Sequence, residues 1–489
     1  MSKNTTKRSL LASVFALVLC VAMLVGATFA WFTDTASTGV NKIVSGNLKV
    51  DIIGANSDSH IEKLNFTKAA VTDAEAGAEI LWEPGCRYLT EGFRIANKGN
   101  LALKWKAQVN TGTTVANEGN FDLLDVIDFY LVTKAADGTE TETALDVFTG
   151  NLKKTETSDV YYIKGVMQTT AGNDYQGLTL DGISITVVAT QDTVENDSFN
   201  NQYDKDAEYP ILVTTGDELQ ATVNNATAPV NIVLANSITT NNFVIPADKD
   251  VTLDLNGRTV TNAGSHTILN KGHLTLTDSS TDKSGQIISL KGNTAALRNG
   301  DNAVCVVEGG TISRDGANGN TWHVVENFGK MTFNGGKVVL KNGNGFAITN
   351  GWNYFDPGAS TTHAVMEINA LELDTDSSGI KNCRYGDLTV NDVTVTSAGY
   401  WALSNDYLGT AVINGGTLTS NSFKAVSNGA AMTVNGGTFN GTEGLFVQSY
   451  ATSTVLNGGT FANMNVAALS SYVGTGHTAQ QSGTSVIIK

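Results

Sequence analysis

The pattern of apolar and polar positions divides the chain into three textures. An apolar run fills Leu10 to Val25. From Val40 to about residue 190, short stretches alternate apolar and polar residues between Asn-, Gly- and Pro-containing turns, the pattern of half-buried strands. From residue 211 onward the alternation persists but becomes periodic.

In the middle texture, Gly46–Ile52 alternates, and Trp82-Glu83-Pro84-Gly85-Cys86 is a turn signal. Gly92–Ala107 reads as two alternating strands joined by an Asn/Gly-rich turn. Further strands are expected over 129–134, 159–166 and 182–189, with a helix over Leu123–Val132 as the alternative to a strand there. Together these predict an antiparallel β-sandwich over residues 31–200.

In the last texture, Asn334-Gly335-Gly336, Asn414-Gly415-Gly416, Asn435-Gly436-Gly437 and Asn457-Gly458-Gly459 each follow an apolar alternation, and Asn369 and Asn391 fill the gap with the same flanks. Successive spacings from Asn334 are 35, 22, 23, 21 and 22, the first holding an insertion around Trp352–His363. A second column runs through Asn270, Asn299, Asn327, Asn350, Asn382, Asn405 and Asn428, with Ser449 and Ser471 as its expected continuation. Asn suits such corners because it tolerates left-handed backbone angles, and stacked amides can hydrogen-bond between coils. A period near 22 with short strands predicts a right-handed parallel β-helix over 211–489, joined to the sandwich by a linker at 201–210. The length gives roughly eleven to thirteen coils and a rod of roughly 50–60 Å. Asp217–Asn224 is expected to form an N-terminal capping helix, and Thr484–Lys489 a last strand.

Composition narrows the function. Acidic residues number 47 and basic ones 31, a net charge of −16, which argues against nucleic acid and anionic membranes as partners. Lys3, Lys7 and Arg8 precede the apolar run, and Gly26-Ala27-Thr28-Phe29-Ala30 follows it. This is the pattern of a signal peptide over 1–30, cut between Ala30 and Trp31, with membrane contact only through the leader before cleavage. Removing the leader takes the charge to −19. Of four cysteines, Cys20 leaves with the leader. Cys305 reads as a buried strand residue, and Cys305 and Cys383 would lie roughly 14 Å apart, beyond disulfide reach.

Candidate chemistry is sparse. The periodic half has four arginines, Arg258, Arg298, Arg314 and Arg384. Arg384, with Asp374 and Asp376, is the weak catalytic set for a lyase-type proton abstraction. Asp374-Thr375-Asp376-Ser377-Ser378-Gly379 starts like a Ca²⁺ loop, but its twelfth position is Tyr385 rather than Glu, which excludes an EF-hand. A looser Ca²⁺ site is left open; no other cofactor is expected. None of the six histidines is followed by Glu, so a His-Glu-x-x-His zinc helix is absent. Phe328, Trp352, Tyr385, Tyr407, Tyr450 and Tyr472 come after the second column, and Tyr354 lies in the insertion. They are expected along one edge of the rod, where aromatic platforms suit sugar stacking or a partner protein.

Two resemblances accompany this reading. The leader ending Gly-Ala-Thr-Phe-Ala, followed by Trp31-Phe32-Thr33-Asp34-Thr35 and Gly46–Ile52, together with Glu83-Pro84-Gly85 and Phe93–Lys104, resembles the TasA/camelysin family of Gram-positive bacteria. That resemblance covers about residues 1–200. It implies cleavage by a dedicated signal peptidase, a jelly-roll sandwich, and assembly with other copies into biofilm-matrix fibres through the freed N-terminal segment. The family's metal-dependent peptidase activity does not transfer, since only His60 lies in this domain. Gly216–Gln220, Ile232–Ala235 and Val251–Val260 resemble the opening coils of pectate-lyase-like β-helices, which implies the fold more than an activity. The expectation is a secreted cell-surface or matrix protein of structural or adhesive role, with glycans or other surface proteins as partners. The alternative is a lyase or hydrolase of acidic glycans, and the third reading a camelysin-like peptidase.

Overall fold

The computed structural model describes residues 47–61, 64–67, 80–115, 121–145, 147–181, 183–192, 208–315, 322–343, 345–352 and 361–489. The leader, the cut between Ala30 and Trp31, and Tyr354 lie outside the described residues.

The N-terminal body is antiparallel. Its strands are β1 (Val50–Gly54), β2 (Phe66–Thr67), β3 (Arg87–Thr90), β4 (Phe93–Asn97), β5 (Leu103–Asn110), β6 (Thr113–Val115), β7 (Ile127–Lys134), β8 (Glu140–Ala144), β9 (Phe148–Leu152), β10 (Tyr161–Met167), β11 (Thr179–Asp181) and β12 (Ser184–Gln191). One sheet runs β1-β4-β10-β3-β2, with β7 on β10 and β8 beyond it; a second runs β12-β5-β9; β11 pairs with β6. The core forms where alternate residues of the two larger sheets meet: Phe93, Ile95, Leu131 and Ile163 from the first, Leu103, Trp105, Ala107 and Leu152 from the second. Trp105 packs edge-on against Phe148 at 5.6 Å. A Cβ on Gly150 would stand 2.7 Å from the indole, so the neighbouring strand needs glycine there.

Two expectations are corrected here. The two strands in Gly92–Ala107 do not pair; β4 and β5 lie in opposite sheets. Asn97 makes that crossing: its buried amide donates to the carbonyls of Leu101 (2.7 Å), Leu152 (3.3 Å) and Lys153 (3.1 Å) and accepts from Gly99 N–H (2.9 Å). Leu123–Val132 is not a helix but one 3₁₀ turn, Leu123–Asp125, leading into β7. The β-branched and aromatic run Ile127, Phe129, Tyr130, Val132 favours the strand.

From Ile211 the chain winds into a parallel solenoid of about ten turns. Each full turn lays down three strands, on a first, second and third face. The first face begins with Ile211–Val213 and ends with Ser453–Leu456; the second runs from Ile238–Thr240 to Gly459–Phe461; the third from Phe243–Ile245 to Leu445–Val447. The turns number fewer than the spacing predicts because three middle turns run long, 31, 26 and 35 residues between Leu276 and Ile368, and the last stretch of chain forms a cap. At the start, helix Gly216–Asn225 buries Leu219 and Val223 on the first turn. Thr215 caps it by accepting from Glu218 N–H at 3.1 Å, while Glu218 accepts from Thr214 N–H at 2.7 Å. At the end, Ser485–Ile488 pairs antiparallel with Gly459–Phe461 and with Ala479–Ser482, which covers the open edge.

Inward residues stack in ladders, one rung per turn. On the first face the ladder reads Leu253, Leu276, Val307, Phe333, Ile368, Val390, Ile413, Val434, Leu456. Its neighbour places Cys305 between Leu274 and Met331. Cys86, Cys305 and Cys383 are all free thiols. Burial pushes Cys305 and Cys383 up to about 12. The thiolate is the nucleophile, so in the folded protein a thiol reagent should label Cys86 and leave Cys305 and Cys383 untouched until denaturant is added. Peptide mapping reads this, and labelling of Cys305 at zero denaturant would contradict the packing.

Candidate functional site

Two asparagine ladders organise the corners. At the corner between first and second faces, the amide of Asn369 donates to Asn334 (2.9 Å), Asn391 to Asn369 (2.7 Å), Asn414 to Asn391 (2.8 Å), Asn435 to Asn414 (2.8 Å) and Asn457 to Asn435 (2.9 Å). These bonds are exposed. At the end of the third face the direction reverses and the ladder is buried. Asn270 donates to Asn299, then Asn327, Asn350, Asn382, Asn405 and Asn428 in sequence, each link 2.7–2.9 Å. The backbone account of these positions is corrected: none of these asparagines has a positive φ. The left-handed positions at the first corner are the second glycines, such as Gly336, Gly416 and Gly437 (φ +92, +94 and +108). The column also ends earlier than expected. Val447, not Ser449, stands opposite Asn428, and Ser471 lies in the C-terminal cap.

The structure does not assemble the weak catalytic set. Asp374 and Asp376 both face Lys341, at 2.9 and 3.4 Å, and Asp374's hydrogen bond is the main reason that ammonium is held above its usual pKa. Asp374 sits on the second face, whereas Arg384 follows the third. The Arg384 guanidinium lies 4.7 Å over the Tyr385 ring and donates to its hydroxyl at 3.0 Å. Among the described residues, no three potential metal-binding side chains converge.

The aromatic residues after the second column divide. Phe328 is buried and packs against Trp352, ring centroids 4.5 Å apart. Tyr385 stacks near His363 (5.6 Å), and Tyr407 and Tyr450 are exposed. Tyr472 is not on this edge; it sits in the terminal cap, half-buried against the core. The expectation of a single aromatic edge is corrected accordingly.

The opposite edge of the third face, just before its strands or at their first residue, carries aromatics that the sequence reading passed over. Four and five residues ahead of the column stand Trp322 and His323, Phe346, Tyr400 and Trp401, then Phe423 and Lys424. Counting backward from the asparagines as well as forward would have found them. Between the edges, the outward residues of successive turns are Leu269, Arg298, Glu326, Thr349, Lys381, Ser404, Ser427 and Phe446. The result is a strip one strand wide with rings on both sides; on its floor Glu326, Thr349 and Ser427 are buried, and Arg298, Lys381 and Ser404 are half-buried.

Cations in this strip lie over rings: Arg298 over Phe328 (4.5 Å), Lys381 over Phe346 (5.7 Å) and Lys424 over Phe446 (3.7 Å). Each also has a carboxylate: Arg298–Glu326 at 2.8 Å, Lys381–Asp406 at 3.2 Å and Lys424–Glu443 at 3.0 Å. Near Glu326, burial holds His266 and His323 below the usual imidazole pKa, so both are neutral at pH 7. His266 Nδ1 accepts from Ala295 N–H at 2.9 Å, which leaves its proton on Nε2; His323 Nδ1 donates to Phe346 O at 3.0 Å, which leaves Nε2 as an acceptor. Arg314, from the end of the second face, is fully buried, and among the described residues none of its guanidinium nitrogens has a hydrogen-bond partner. Burial pushes it down to about 10, with Glu326 acting the other way.

No family model and no curated protein matches the chain. A solved structure to which it is similar is the catalytic domain of a GH87 alpha-1,3-glucanase in complex with tetrasaccharides. The identity is 11%, the alignment covers 84% of this chain and 96% of that one, and the TM-score is 0.16.

Proposed function

We propose that this chain is a secreted cell-surface or extracellular-matrix protein of structural or adhesive role, and that its solenoid holds a glycan. The observation that carries the reading is the third-face strip, where partly exposed rings flank fixed ion pairs. Sugars present an apolar face and a rim of hydroxyls, and such a surface complements both. The leader pattern and the TasA-like segments support export and a place in a biofilm fibre. The test uses the chain from Trp31 to Lys489 on a glycan array, with polygalacturonate and Ca²⁺ in a parallel turnover assay. Binding to immobilised glycans without release of unsaturated product is the expected result; turnover would overturn it.

The enzyme reading has one specific observation in its favour, the grouping of Arg298, Glu326, His266, His323 and Arg314. Against it, the Glu326 side chain is 5% exposed and tied to Arg298, so it presents no free carboxylate to a substrate.

A further inference from the structure

We infer that Tyr400, Trp401, Phe423 and Phe446, with the Lys424–Glu443 pair, form a subsite for a neutral hexopyranose in a linear polysaccharide running along the solenoid axis. This rests on the glycan-binding reading above and narrows it to a place and a class of sugar.

The geometry is a cluster rather than scattered rings. Trp401 packs against Phe423 at 4.6 Å and 78°, and faces Phe446 at 6.0 Å and only 24°. Tyr400 meets Phe423 at 5.7 Å and is 56% exposed; Trp401, Phe423 and Phe446 are all partly open to solvent. These residues come from three successive turns. Neighbouring turns are separated by about 4.8 Å, close to the length of one pyranose unit in an extended chain, so a linear polymer laid along the axis would keep register with the rungs. On the floor at this level Ser404 is half-buried, whereas its neighbour Ser427 is buried and accepts from Gln448 at 3.3 Å.

Charge decides the sugar class. Lys424 spans the Phe446 ring and Glu443, so a donor and an acceptor are fixed side by side next to the rings. Every ion in the pair is already balanced, as are Lys381 by Asp406 and Arg298 by Glu326. A uronate would have to displace an internal carboxylate and approach a chain of net charge −16. A neutral sugar instead takes its hydroxyl hydrogen bonds from the pair as it stands and rests its C–H face on the rings.

The test is a tryptophan-fluorescence titration of the full chain with cellohexaose, laminarihexaose, maltohexaose and hexagalacturonate. Saturable binding is expected for at least one neutral hexasaccharide, at least tenfold tighter than for hexagalacturonate. Tyr400→Ala, at an exposed position where folding is not at stake, and Glu443→Gln should each weaken it about tenfold, read by calorimetry. Thr417→Ala, on the second face, should change it less than twofold. Unchanged affinity in Tyr400→Ala and Glu443→Gln overturns the subsite while leaving glycan binding intact. A preference for hexagalacturonate overturns the neutral class. No binding by the parent chain to these probes overturns the subsite, and an empty glycan array in addition removes the proposed function with it.

Discussion

Asn382→Ala should destabilise the solenoid by about 3 kcal/mol, whereas Asn414→Ala should cost under about 1 kcal/mol, although each residue is one link in an asparagine ladder. Asn382 is fully buried. Its amide donates to Asn405 Oδ1 (2.8 Å), Gly386 O (2.8 Å) and Thr410 O (2.9 Å), and its carbonyl accepts from Asn350 (2.9 Å). Alanine leaves the Asn405 oxygen without a donor inside the rod, where water cannot replace it. Asn350 keeps two backbone carbonyls, Ala364 at 3.3 Å and Asp387 at 3.1 Å, so its loss is partial. Asn414 also makes two ladder bonds, at 2.8 Å each, but they are exposed and solvent takes them over. Each turn touches only its neighbours, so the damage is local. Urea midpoints with hydrogen exchange in the flanking strands measure the difference; equal midpoints for the two variants would contradict the account of the buried ladder.

Arg314→Leu should stabilise the protein, by roughly 1–4 kcal/mol, the range found when buried charge gives way to packed apolar groups. Arg314 is fully buried without a hydrogen-bond partner among the described residues, and at about 10 its pKa still leaves it cationic at neutral pH. It occupies an inward position whose counterpart on the next turn is Leu340, so leucine continues a rung that already exists. A rise in the thermal midpoint is expected. A fall would mean that Glu326, whose charge favours the cation there, outweighs the burial cost.

The fold was legible because a solenoid repeats one physical problem. Each turn must place apolar residues inward on three short strands and satisfy the same corner amides, so Asn334 to Asn457 and Asn270 to Asn428 recur at one period. What was not legible lies where a turn departs from the pattern. Long middle turns and the C-terminal cap consume chain that the period assigns to turns, and Val447 replaces an asparagine while its strand still pairs. The N-terminal crossing from β4 to β5 depends on what Asn97 binds, which alternation does not encode. At the site, a search forward from the asparagines found Tyr407 and Tyr450 but also swept in Tyr472, which belongs to the cap. The rings on the other edge precede the column, and their grouping depends on three turns meeting in space. Arg314 sits in a run whose alternation marks its position as inward, yet its residue type reads as surface.

Hydroxyl-radical footprinting of the intact chain, with and without a bound neutral hexasaccharide, tests the central claim most directly, because it reads which side chains the sugar covers. The account predicts that ligand suppresses oxidation at Tyr400, Trp401, Phe423 and Phe446 and leaves Tyr88, in the N-terminal body, unchanged. Bound sugar with undiminished oxidation at those four rings, or protection confined to the N-terminal body, would contradict it.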